Sequence, residues 1–224
     1  MPGEPVTRAE ATSLATERTT AVTDALLALA VGAGVLRLRR SVAPNWRRGV
    51  WLSALAAFGV SALLGAAAHG LPLDDQVRDA VWQPLFALLC LAVALFVVGA
   101  AADWRGERLG RTFLPALLVV AAGVYLATWL TGGDFRVFLA FEAAGLLLAI
   151  AGYAGLAAQG RPGAGLVATA LAVSLAAGAV QASGPFSIRL GWTFDHNGVY
   201  HLVQLVGVGL LIRGLATTLQ NPPP

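Results

Sequence analysis

Residues 191–204, Gly-Trp-Thr-Phe-Asp-His-Asn-Gly-Val-Tyr-His-Leu-Val-Gln, hold two of the chain's three histidines beside Asp195, Asn197 and Gln204. His196 and His201, joined by His69 from far upstream, would supply three ring nitrogens. A catalytic zinc site uses that number of protein ligands and leaves a fourth position for water. Zinc lowers the pKa of such a water to about 7, making hydroxide available for attack on an amide or ester. Asp79 or Asp24 could orient a histidine or take the proton. No pair of these residues forms a compact signature such as His-Glu-x-x-His, so the reading rests on their gathering at one end of the molecule.

Other polar residues fall near the same place. Glu17 and Thr20 precede Asp24 at helical spacing, and Glu142 lies two turns inside an apolar segment. Ionisable groups at membrane depth cost a few kcal/mol or more unless paired, which makes them functional candidates. For Glu142 the structural alternative is a pair with Arg136 or a histidine. Asn197 and His201 are four apart and share a helix face, with Gln204 a turn further. Asp195-His196-Asn197-Gly198 is also ordinary helix-start chemistry, in which Asp195 or Asn197 caps free backbone N–H groups. In that case His196 belongs to a non-helical entry.

The elements that must position these residues are hydrophobic. The 224 residues are 57% hydrophobic and 12% charged, with mean hydropathy +0.72. A soluble domain carries about 25% charged residues, so the solvent implied is a bilayer. Apolar runs near 21–38, 49–69, 80–102, 112–131, 135–158, 163–183 and 198–218 are each long enough to span it, at about 20 residues per crossing. The expected fold is all-α: a polytopic bundle of seven transmembrane helices over 21–218, with a polar tail at 1–20 and a disordered tail at 219–224.

Every basic side chain is arginine. Ten of the fifteen fall in loops or ends on one side, led by Arg37, Arg39, Arg40, Arg47 and Arg48. The positive-inside rule then puts the N-terminus outside and the C-terminus in the cytoplasm, with every histidine at the outer face. The net charge of +3 is topological and makes no case for nucleic acid. With no lysine there is no Schiff base for retinal, and the single Cys90 excludes an intrachain disulfide. The Ala-, Gly-, Leu- and Arg-rich usage suggests a bacterial cytoplasmic (inner) membrane protein, with membrane lipids as its surroundings. On the cytoplasmic side the sequence offers arginines and little else that could do chemistry, which disfavours a proton pathway through Asp24, Glu142 and His201.

This arrangement resembles the alkaline ceramidase and progestin/adipoQ receptor superfamily of seven-helix membrane hydrolases. Its members have a serine ahead of a histidine at the end of the second helix, an aspartate entering the third and His-x-x-x-His opening the seventh. Here His69, Asp79 and His201 stand at matching positions, Gly65 replaces the serine, and Asn197 replaces the first histidine of the last pair, with His196 one residue away. The chain is also similar to uncharacterised bacterial seven-helix proteins with Thr-Asp in helix one, His-Gly after helix two and Tyr-His-Leu-Val-Gln in helix seven. The first resemblance implies zinc held by His69, His196 and His201, with a lipid amide or ester as substrate. The alternative is a non-catalytic sensor or complex subunit that binds a small ligand or partner through the outer polar cluster.

Overall fold

A computed structural model describes residues 8–221 of the chain, with side chains from residue 15 onward. The helices are α1 (Arg8–Ser41), α2 (Trp46–Gly70), α3 (Asp75–Arg105), α4 (Glu107–Leu130), α5 (Phe135–Ala158), α6 (Ala164–Ala182) and α7 (His196–Gln220). All seven contain a stretch long and apolar enough to cross a membrane. The 25 residues of α2 rise roughly 37 Å at 1.5 Å each, more than the hydrocarbon thickness of about 30 Å.

The helices start and stop where local chemistry dictates. Asn45, Asp74 and Asp195 accept hydrogen bonds from the backbone N–H of Arg48, Val77 and Gly198, capping α2, α3 and α7. Asp134 caps α5 in the same manner. Gly106, at φ 95°, separates α3 from α4 in a conformation a side chain would resist.

Six helices close a ring in the order α1, α2, α3, α5, α6, α7, and α4 lies outside it, mainly on α3. Buried Leu27, Leu55, Tyr153, Leu171 and Leu215 fill the ring's interior. The outside is apolar too: Leu29 is 70% exposed and Val119 72%. Burying such side chains is worth about 25 cal/mol per Å², so an exposed belt of them is compatible with a surface that faces lipid. On α4 only Gly110, Ala121 and Thr128 are buried.

The structure revises two expectations. Residues 8–20, expected as a polar tail, are helical and continuous with α1, and Thr19 and Thr20 hydrogen-bond to Thr193 O and Asp195 Oδ1 at the end of the bundle. Leu219 and Gln220, expected in a disordered tail, belong to α7, where Leu219 is buried; residues 222–224 lie outside the described residues. The loop before the last helix contains a two-stranded antiparallel hairpin, β1 (Ser187–Leu190) and β2 (Trp192–Asp195). It reverses at Gly191, φ 77°, and pairs Ile188 with Phe194. Phe194 is its anchor, buried beside the start of α7, while Trp192 is 74% exposed.

Candidate functional site

Residues toward one end of the bundle line an open cavity of about 840 Å³. Asp24, His69, Asp79, His196, Asn197 and His201, all singled out from the sequence, line it. Co-location of these groups at one end of the bundle is therefore present in the fold. Their mutual geometry differs from that of a metal site.

His201, 7% exposed, sits between α7 and α1. Its Nε2 lies 3.2 Å from Asp24 Oδ1 and its Nδ1 lies 3.1 Å from the Thr23 hydroxyl. Asp24 is itself 4% exposed. Its other carboxylate oxygen rests against Gly65 of α2, where an added Cβ would stand 2.7 Å from Oδ2. Glycine at 65 is what allows α1 to place a carboxylate against α2.

His69, at the end of α2, has Nδ1 2.6 Å from Glu17 Oε2. A carboxylate accepts, so Nδ1 carries the proton and the lone pair of a neutral ring lies on Nε2. The ring also meets Trp82 edge-on, with centroids 5.4 Å apart. His196 opens α7 as its first helical residue, capped by Asp195 and not part of a non-helical entry. Its Nδ1 is buried with no hydrogen-bond partner among the described residues.

Thr20 donates to Asp195 Oδ1 at 2.9 Å, and the same oxygen accepts from Gly198 N at 2.8 Å. One carboxylate thereby caps α7 and ties it to α1. Asp195→Ala should lower stability by about 0.5–2 kcal/mol for the cap, and by more if the Thr20 hydroxyl is left without a partner. The unfolding midpoint of the purified chain in detergent measures this.

The remaining predicted residues face other neighbours. Asn197 receives Gln181 Nε2 at 3.2 Å, and Gln204 donates to Ser174 Oγ at 3.1 Å, so both tie α7 to α6. Glu142 pairs with neither Arg136 nor a histidine; its carboxylate lies over Gly178, where a Cβ would stand 3.6 Å from Oε2. Arg136 is taken instead by Asp134, with Nη2 to Oδ2 at 2.8 Å and Nε to Oδ1 at 3.0 Å. That guanidinium holds the Asp134 carboxyl below the usual carboxylate range.

A zinc site tests poorly against this donor set. His69 is presented as a ligand would be, with one nitrogen on a carboxylate and the other free. His201 has both nitrogens committed within the protein. Among the described residues, no three His, Cys, Asp or Glu side chains gather closely enough to hold a metal ion.

The sequence reading missed a buried cluster at the opposite end. Asp103, near the end of α3 and 2% exposed, accepts from Arg47 Nε at 2.7 Å and Trp51 Nε1 at 3.0 Å, and from the Tyr153 hydroxyl. The expectation of arginines and little else at that end is therefore corrected. The signal available was Asp103 beside Trp104-Arg105, an acid where the apolar run ends. Nothing in the sequence paired it with Arg47.

No curated protein and no solved structure matches the chain. The profile of one family, described as a family of unknown function (DUF6962), matches residues 19–220, and it lends the ceramidase-like resemblance no support. Because the match runs from the Thr19–Thr20 pair on α1 to the last helical residue of α7 and so takes in the whole ring and its cavity, the chain belongs to the DUF6962 family.

Proposed function

We propose that this protein is a membrane-embedded binding protein that receives a small organic ligand in the cavity at the histidine-bearing end of its bundle. The observation that carries the reading is the cavity itself. About 840 Å³ lies within the usual range of small-molecule sites, roughly 300–1,000 Å³, and its lining mixes aromatic walls with a few polar groups. The polar groups are held by the fold: Asp24 by Gly65 and His201, His69 by Glu17, Asn197 by Gln181. Such fixed side chains suit recognition, because little freedom remains to be lost on binding. With the arginine-rich end in the cytoplasm, the cavity opens to the outside, and the protein senses or captures its ligand there.

The zinc-dependent hydrolase reading retains one favourable observation, the Glu17–His69 pair with its free Nε2. It also requires His201 to give up Asp24 or Thr23.

One preparation tests both readings. The full chain is purified without chelators, its bound small molecules are extracted and identified, and its metal content is measured beside an Ala182→Trp variant. Ala182 is exposed at the cavity wall, so tryptophan there adds bulk at the cavity without disturbing the core. The binding reading expects a co-purifying molecule in wild type that is lost from the variant. Identical extracts from both would overturn it, and stoichiometric zinc held through purification would favour the hydrolase.

A further inference from the structure

We infer that the ligand of this cavity carries an organic ammonium group, seated against Asp24 and faced by the aromatic wall that begins at Trp82; this rests on the reading of the cavity as a ligand site. The first support is charge. The charged groups lining the cavity, histidines aside, are Asp24, Asp79, Asp134 and Arg136. Arg136 and Asp134 neutralise each other through their paired contacts. Asp79 makes no hydrogen bond or ion pair among the described residues, and Asp24 meets only a histidine. An anionic ligand would find no unpaired guanidinium in the lining, whereas a cation finds two carboxylates.

The second support is the wall. Trp82 stacks on Phe86 with centroids 6.0 Å apart, Phe86 meets Phe135 at 5.8 Å, and Phe135 meets Phe138 at 5.1 Å. All four line the cavity. Aromatic faces attract alkylammonium groups through their ring quadrupole, tryptophan most strongly, and the attraction grows when the site is shielded from water. A bare metal ion would make no use of such a wall, whereas an ammonium carrying apolar substituents would use both the wall and the carboxylate.

The third support is the seat. Asp24 Oδ2 lies against a glycine and takes no hydrogen bond from a side chain among the described residues. Asp24 lines the cavity, and its carboxylate can accept from a donor or pair with a cation brought there. The ligand's ammonium would supply that partner.

The test is calorimetric titration of the full chain in nanodiscs of a lipid with no amine in its headgroup. Three aromatic probes of similar size are used: benzyltrimethylammonium, benzyl alcohol and benzenesulfonate. The inference expects the ammonium to bind about tenfold or more tightly than the other two. It also expects Asp24→Asn to remove that advantage while leaving benzyl alcohol unchanged. Trp82→Leu, which removes an edge contact with His69 but no charged group, should weaken the ammonium alone and serves where Asp24→Asn fails to fold. Equal binding of ammonium and alcohol, or an ammonium advantage that survives these substitutions, overturns the inference. Preferred binding of the alcohol or the sulfonate, lost in Ala182→Trp, overturns it while leaving the cavity as a ligand site. No binding of any probe overturns it as well, and the co-purification experiment then judges the cavity independently.

Discussion

Asp103→Ala should be the most destabilising single substitution in the chain, lowering stability by about 3–5 kcal/mol. The Arg47 side chain is 5% exposed, and Asp103 is its acid partner, with Nη2 2.5 Å from Oδ1. Removing the carboxylate strands a guanidinium between α2 and α3, away from water. It also leaves the Trp51 N–H and the Tyr153 hydroxyl, donors from α2 and α5, without their acceptor. The cost arises from the unpaired buried charge more than from the lost attraction. The double variant Arg47→Met, Asp103→Leu should therefore recover most of the loss. Unfolding midpoints of the three proteins in one detergent provide the comparison. A midpoint unmoved in Asp103→Ala would show that the cluster does not hold the ring together.

Gly65→Ala should have the largest effect on the cavity for the smallest chemical change. The added methyl would stand 2.7 Å from Asp24 Oδ2 and 3.1 Å from Oδ1, so the carboxylate or a helix must move. Overpacking of this kind costs about 1–3 kcal/mol. Displacing Asp24 also parts it from His201 Nε2, and the two events are read separately. The unfolding midpoint reports the overpacking, and the loss of whatever ligand wild type retains reports the displaced carboxylate. Gly178→Ala is the matched control on α6, because a Cβ there stands at an ordinary 3.6 Å from Glu142. It should leave both readouts unchanged. Unaltered ligand retention in Gly65→Ala would remove Asp24 from the site.

The same glycine explains part of what the ceramidase-like resemblance could not carry. A serine at 65 would bring a Cβ and a hydroxyl into space that Asp24 occupies. His196 departs in a related way. Asp195 caps α7, so His196 becomes the first helical residue, and its buried Nδ1 meets no partner from the rest of the described cluster.

Seven apolar segments were legible because crossing a bilayer imposes one requirement, a helix of sufficient length with its backbone satisfied internally, and that requirement is written in composition. The fifth segment, 135–158, falls on the same residues in sequence and structure, since Asp134 caps it and Gln159-Gly160 ends it. The residues around the cavity could also be named in advance, because polar side chains in an apolar chain stand out wherever they fall. Their partners could not. Glu17 meets His69 across 52 residues, and Thr23 and Asp24 meet His201 across almost the whole chain. Asp103 finds Arg47 in a separate cluster at the far end. Helical periodicity gives the face a residue occupies on its own helix, but the neighbour on that face depends on how the helices are ordered around the ring. That order, with α1 seated between α2 and α7 and α4 left outside, comes from side-chain packing. Packing turned three histidines that looked like ligands of one ion into a tied pair member, a committed bridge and a ring whose Nδ1 has no hydrogen-bond partner among the described residues, all on one cavity.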